Sequence, residues 1–365
     1  MQVRHIFVGI DLGDKNSVAR IAIDRENSTR YGFTNSRAGR ARLFAEVKRR
    51  SESAAGATIV MAYEASSCGF VLKDEADASG ICCHVLAPTK MEKSVDQRKQ
   101  KNDDRDAQDV LEKLRGHYLA GNRLPTVWVP TVEMRDDREL VRMRQEVRRK
   151  ESKVKVQIQM LLKRHGLEKP PGTGSAQTIK YRKWLEAVAQ DRAWGWGMRQ
   201  SLSSLLRQLR AMEAELEQLD QQMEQLAEQQ RHKPIVEALK REKGVGTSTA
   251  LVYRTELGYA GRFSRGRQAG RFMGLTPTSH ESGEQNDRKG HISRQGPPRL
   301  RQMLCQAAWA HVRYDPHARQ VYQRLVAKNP KKKKIALVAL MRRLAVRLWH
   351  RMREAELAIE QQKSQ

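Results

Sequence analysis

The chain has 365 residues, with 69 Lys and Arg against 42 Asp and Glu, so its formal net charge is +27 and its pI lies near 10.3. A field of that sign and size draws polyanions over a wide surface, which puts nucleic acid first among partners. No apolar run approaches the roughly eighteen residues of a spanning helix and the N-terminus lacks a signal-peptide core, so no membrane partner is expected.

The four cysteines, Cys68, Cys82, Cys83 and Cys305, show neither paired zinc spacing nor a disulfide framework, which fits a reduced, cytoplasmic protein. Aromatic residues are only 5% of the chain, which argues against a surface built on base stacking. The length allows two or three domains.

Residues 5–11 alternate apolar and small side chains as a strand does, and place Asp11 between Ile10 and Leu12. A carboxylate inside a central strand is costly unless something positive meets it, and a divalent cation is one such partner; capping of the next turn is the plainer role. Further strand patterns fall at 18–24, more weakly near Tyr31 and Phe33, then at 57–63 and 81–86, with a helix pattern on Leu43, Phe44 and Val47 before the fourth strand. Three strands in hairpin order, then a helix and a strand, is the signature of an RNase H-like mixed sheet. In that topology strands one and four are neighbours. Asp11 and Glu64, which ends the fourth strand, would then stand side by side, an arrangement like charges tolerate around a cation.

A basic stretch, 90–101, precedes a helix pattern with Val110, Leu111 and Leu114 on its buried stripe. Asp103 is expected at its N-cap. Asp103 and Asp106, three apart, share a face of the first turn, but Asp104 and Asp109 are close enough that spacing does not choose among them; capping and the helix dipole also explain acids there.

Residues 138–230 read as polar helices. Leu202, Leu205, Leu209, Met212, Leu216, Leu219, Met223 and Leu226 alternate steps of three and four, a coiled-coil seam, and Leu140, Val147, Val154 and Leu161 give a broken version of it. The two arms, separated by a flexible break at 169–175, are expected to pair with each other or with a second protomer. From about 235 the chain becomes glycine-punctuated and basic. Gly244-Val245-Gly246 is similar to the turn of a helix-hairpin-helix, and equally to an ordinary helix–helix turn. A last helix after Lys334 has Leu337, Met341, Leu344, Leu348 and Met352 on one face and Arg342, Arg343, Arg347 and Arg353 on the other.

In this order the residues resemble the DEDD transposases of bacterial insertion sequences, the group that includes the pilin-gene invertase. Gly9-Ile10-Asp11, Tyr63-Glu64 and Asp103-x-x-Asp106-Ala107 after Lys101 are similar to that family's RuvC-like part, and this match selects Asp103 and Asp106 over Asp104 and Asp109. Gly244-Val245-Gly246, Glu256-Leu257-Gly258, Arg262-Phe263, Gly274-Leu275-x-Pro277, Ser282-Gly283 and Ile292-Ser293-x-x-Gly296 are similar to its C-terminal part. Glu284, Asp287 and Pro297-Pro298 depart from it. An ordered set of this kind is specific where any one short motif is not.

The resemblance implies three domains: a RuvC-like, RNase H-fold domain at 1–125, coiled-coil arms at 126–234, and a mainly helical transposase domain at 235–365. It implies that Asp11, Glu64, Asp103 and Asp106 hold Mg²⁺, or Mn²⁺ in its place, and that Ser282 attacks DNA to leave a covalent phosphoserine link, with Ser293 and Ser279 as fallback nucleophiles and His280 or His291 as candidate bases. Double-stranded donor and target DNA, a non-coding guide RNA and a homodimer working as a tetramer are the implied partners, in a bacterial, nucleoid-associated setting. Lys331, Lys332, Lys333, Lys334, Arg299 and Arg301 are the expected nucleic-acid contacts. A metal-dependent nuclease of branched DNA would use the acids and water alone, and a non-catalytic scaffold would use none of them.

Overall fold

The computed structural model describes residues 4–91, 102–174, 178–282, 285–328 and 330–363. Most of the basic stretch, 92–101, and Gly283 with Glu284 lie outside the described residues. The chain separates into two compact units, Met1–Val129 and Pro130–Gln365.

The first unit is mixed α/β. Strands β1 (His5–Asp11), β2 (Asn16–Ile23) and β3 (Thr29–Thr34) form antiparallel hairpins, and β4 (Thr58–Glu64) and β5 (Cys82–Leu86) join in parallel, in the order β3-β2-β1-β4-β5. Strands one and four are therefore neighbours, as the pattern predicts, with Gly9 opposite Ala62 and Ile10 opposite Tyr63.

Alternation divides the sheet into two faces. Ile6, Val8, Ile10, Met61, Tyr63 and Val85 pack with Leu43, Phe44 and Val47 of α1 (Arg37–Ser53) and Leu72 and Ala76 of α2 (Val71–Ala78). Phe7, Val60, Ala62 and Leu86 meet Val110, Leu111 and Leu114 of α3 (Asp103–Ala120). A side chain at Gly9 is excluded. Its Cβ would lie 2.3 Å from both the Ala107 carbonyl oxygen and the Leu111 amide nitrogen. The helix thus rests on the strand's backbone.

The second unit is mainly helical. Helices α4 (Val132–Arg164) and α6 (Trp196–Glu228) run antiparallel: Val141 clusters with Met223 and Leu226, Val147 with Leu216 and Leu219, and Val154 and Ile158 with Leu202, Leu206 and Leu209. The two arms pair within one chain. The heptad seam already has its partner, so it is not left open for a second protomer. A further helix, α5 (Ile179–Gln190), lies inside the stretch read as helical but outside its two heptad arms, and adds Tyr181, Leu185 and Val188 to the same cluster. With two helices to cover, the apolar face of α6 widens: Leu206 is buried, whereas Leu205 and Met212 are only partly so.

The remainder comprises α7 (Lys233–Lys240), α8 (Thr247–Leu257), α9 (Gly266–Phe272), a hairpin of β6 (Pro277–Ser282) and β7 (Gln285–Ile292), α10 (Pro298–Tyr314), α11 (Pro316–Lys328) and α12 (Lys333–Lys363). The five apolar positions expected to face inward on the last helix are all buried. Among the described residues no helix is long and apolar enough to cross a membrane.

The Gly9 contact is testable. Gly9→Ala places backbone in the way of the new Cβ and should cost about 1–3 kcal/mol of unfolding free energy in a urea titration. Gly32→Ala, whose Cβ would meet only an Arg30 side-chain nitrogen at 4.0 Å, should stay within about 0.5 kcal/mol of wild type. Equal losses at the two sites would mean that α3 is not seated on β1.

Candidate active site and nucleic-acid surface

Asp11 is the last residue of β1 and Glu64 the last of β4, so two half-buried carboxylates end adjacent parallel strands. Counting alternation from Gly9 and Ala62 puts both on the face that carries α3. Ala107 lies against Gly9, and one turn before Ala107 comes Asp103, so the first turn of α3 lies toward the end of the sheet where Asp11 and Glu64 stand.

The cap of this helix is Asn102, one residue earlier than expected. Its side-chain oxygen accepts from the amides of Asp104 (3.0 Å) and Arg105 (3.4 Å). Asn serves at an N-cap as well as Asp, and its doing so makes Asp103 the first helical residue rather than the cap.

Asp104 is distinguished from its neighbours by geometry. Arg20, opposite Gly9 on β2, donates from Nε to Asp104 Oδ1 at 2.7 Å and from a second nitrogen to Oδ2, and Arg30 adds an ion pair at 3.6 Å. The Arg20 hydrogen bonds and charge hold the Asp104 carboxyl below its ordinary value of 3.8. Spacing left Asp103, Asp104, Asp106 and Asp109 in competition, and this fork engages Asp104 in holding α3 to β2.

The donor set at this end of the sheet is all carboxylate oxygen, the chemistry that hard divalent cations take. Among the described residues, no three Asp, Glu, His or Cys side chains converge closely enough to form a metal-binding cluster. The fit is therefore one of donor chemistry and backbone placement.

In the second unit, several of the motif residues shape the fold. Gly244 has φ of +88°, and a Cβ there would come 2.6 Å from the His311 amide nitrogen, so the turn between α7 and α8 lies directly on α10. Glu256 is buried and receives a two-pronged contact from Arg142 at 2.8 and 3.1 Å, which ties α8 to α4. Arg262 lies over the rings of Phe263 and Phe272, 4.5 and 4.4 Å from their centroids, and burial helped by nearby Arg138 lowers its pKa to about 10.

Gly274 and Gly296 pinch the base of the β6–β7 hairpin, where a Cβ would fall 2.2 Å from the Gln295 carbonyl oxygen and 1.8 Å from that of Phe272. Arg301, expected at the nucleic-acid surface, donates through Nη1 to the carbonyls of Met273, Gln295 and Gly296 at 3.3, 3.3 and 3.0 Å. Its guanidinium thus braces that base. Arg299 is half-buried, and Lys331, Lys332, Lys333 and Lys334 are exposed around the start of α12.

Ser282 closes β6, its backbone paired with Gln285 across the hairpin, and Ser279 lies on the same strand opposite Lys289. The hydroxyl oxygen of Ser293, at the position following β7, is buried.

Carboxylates ending adjacent strands of a mixed sheet, beside a chain of net charge +27, point to a protein that acts on nucleic acid, and the comparisons with known proteins name the class. A model for the DEDD transposases of the IS110 group, described as Transposase, matches residues 8–166, and one described as Transposase IS116/IS110/IS902 family matches 236–323. The chain belongs to the IS110 family of DEDD transposases.

It is 27% identical to the transposase-named protein y4qE of Sinorhizobium fredii, across 96% of this chain and 90% of that one. It is 29% identical to y4rJ of the same organism, similarly named, across 86% and 82%. The transposase for insertion sequence element IS1111A of Coxiella burnetii is 26% identical over 64% of this chain and 61% of its own.

The Asp104 fork has a pH signature. A carboxylate held below 3.8 when folded contributes stability above that pH and loses it as acid protonates the folded group. Arg20→Ala should therefore lower the thermal midpoint at pH 7, and the gap from wild type should close as the pH falls below 3.8. A gap of constant size across pH would assign the loss to packing instead.

Proposed function

We propose that this transposase cuts and rejoins DNA through a RuvC-like, RNase H-fold carboxylate site in the first unit and Ser282 in the second. The observation that carries the reading is the layout of Asp11 and Glu64 on neighbouring parallel strands, on the face where the first turn of α3 supplies Asp103 and Asp106. These four carboxylates would hold a divalent cation, Mg²⁺ by preference and Mn²⁺ in its place, because an all-oxygen donor set suits both. Bound there, the cation would polarise the scissile phosphate and stabilise the leaving oxygen.

Ser282 Oγ then forms a bond to phosphorus as the bond to the leaving sugar oxygen breaks; the serine gives up its proton and the leaving oxygen takes one up. The phosphoserine–DNA link keeps the bond energy for rejoining, which reverses the step with a new strand. His280 on β6 and His291 on β7 are the bases nearest in sequence for that proton. The buried hydroxyl of Ser293 counts against it as the attacking group.

Duplex donor and target DNA, with a non-coding guide RNA to read their sequences by base pairing, are the partners this reading takes; the net charge of +27 supports polyanion binding of both kinds. The exposed Lys331, Lys332, Lys333 and Lys334 and the half-buried Arg299 would meet phosphates. Exchange of strands between two duplexes needs more than one active site, hence a homodimer and a tetramer of two such pairs. Because α4 covers the α6 seam, that assembly would use other surfaces. We assign 126–234 to the helical arms, of which 126–129 still pack with the first unit, and 235–365 to the transposase domain, with the α7–α8 turn as its helix-hairpin-helix-like element.

Asp11→Asn and Glu64→Gln keep side-chain size but remove a charged oxygen. Each should lower Mg²⁺-dependent strand cleavage by two or more orders of magnitude while DNA affinity changes less than threefold, since binding rests on the basic surface. Binding lost in step with cleavage would make these acids folding residues.

Ser282→Ala should abolish the protein–DNA adduct seen on denaturing gels as well as cleavage. Cleavage at the wild-type rate without an adduct would mean that water is the nucleophile, and the chain a nuclease.

A further inference from the structure

Aromatic residues are scarce in this chain, yet three of them meet at one exposed place. Trp309 and Tyr314 on α10 are 49% and 61% exposed, although both belong to residue types that ordinarily bury most of their surface. Tyr322 of α11 packs edge-to-face with Trp309, ring centroids 5.6 Å apart. Together these residues line an open cleft of about 730 Å³ between the two helices.

The cleft's polar rim is basic. Arg313 and Arg319 both line it. Arg319 donates from Nε to the Val312 carbonyl at 3.3 Å and from Nη2 to the Arg313 carbonyl, so the last carbonyls of α10 hold its guanidinium at the rim. The acid at this turn, Asp315, is engaged elsewhere: its Oδ1 accepts from the amides of His317 (2.8 Å) and Ala318 (3.3 Å) and caps α11. Exposed flat rings beside two arginines, one of them held in place, match a nucleobase with its phosphate, because stacking uses the π-face that every base has and arginine takes the charge. Bases inside a duplex present only their edges, so the occupant has to be unpaired.

We propose that the Trp309–Tyr314–Tyr322 cleft holds an unpaired nucleobase of a bound nucleic acid, stacked on the exposed rings with its phosphate against Arg313 and Arg319. This rests on the reading of the chain as a nucleic-acid-processing enzyme, and adds to it a site that distinguishes unpaired from paired nucleotides. An RNA loop and a base extruded from DNA offer the same chemistry.

The test uses the full chain and four labelled oligonucleotides: a stem with an unpaired loop and a fully paired duplex, each made as RNA and as DNA. Affinities are measured by fluorescence anisotropy at one fixed salt concentration for wild type, Trp309→Ala, Tyr314→Ala and Trp309→Phe. Trp309→Ala and Tyr314→Ala should each weaken loop binding roughly tenfold, the worth of one stacked base, and Trp309→Phe should restore most of it, with duplex binding unchanged. A loss confined to the RNA loop assigns the site to RNA, and one confined to the DNA loop assigns it to an extruded base; either supports the proposal.

Equal weakening of loop and duplex, or no change in either, overturns it. So does a shift in sedimentation with loop affinity intact, which would make the cleft a protein contact. Strand cleavage of paired DNA by the Trp309→Ala chain reads the enzyme's function separately, so the cleft can fail while the transposase reading stands.

Discussion

The seating of α3 on β1 governs what the first unit is able to do. Side chains normally keep a helix off the backbone of the sheet it packs on. At Gly9 there is none, and the backbone of Ala107 and Leu111 comes down to within the space a single carbon would fill. That contact sets how near the first turn of α3 comes to the strand ends. Arg20 then sets the rotation, since its fork on Asp104 turns that acid toward β2. Depth and rotation of the acidic turn are thus determined by two residues that carry no acid themselves. Asp11 and Glu64 need no such device, because strand pairing places them.

The second unit distributes its motif residues differently. Glu256, Arg262, Gly274 and Gly296 do their work inside the protein, as an ion-pair anchor, a cation stacked on two rings and two close backbone approaches. Gly274 and Gly296 fix the root of the β6–β7 hairpin, while Glu256 fixes the helices α4 and α8 to each other. For the proposed attack of Ser282 on phosphorus, a strand braced at its base by Arg301 and two glycines would be a suitable mount, because such a step needs one repeated geometry. Recurrent motif residues here are explained by rigidity at least as much as by contact with a ligand.

The sheet of the first unit was legible because its strands alternate cleanly and end in turn residues. Residues 5–11 and 58–64 carry enough of that pattern to give both their pairing and the neighbouring positions of Asp11 and Glu64. The last helix was legible for the same reason at a different period. The engagement of Asp104 was not readable from spacing, because its partner, Arg20, lies more than eighty residues away in the chain. The cap at Asn102 was missed because Asn and Asp serve equally there. The hairpin at 277–292 escaped notice because its strands are polar and lack an alternating apolar face. The partner of the α6 seam was also undetermined, since a heptad shows that a helix needs a neighbour but not which one.

The paired arms have a mechanical consequence. Near its N-terminal end, α4 is tied down by Arg142 to Glu256 and by buried Asp137 to Arg231 and His232, while its far end, from Val154 to Leu162, packs with α5 and the first half of α6, which move with it. A helix of 33 residues is about 50 Å long, so a five-degree tilt at the tethered end sweeps the tip through about 4 Å. The arm is a lever with its fulcrum in the transposase fold: adjustments too small to disturb the ion pairs at one end become displacements the size of a side chain at the other.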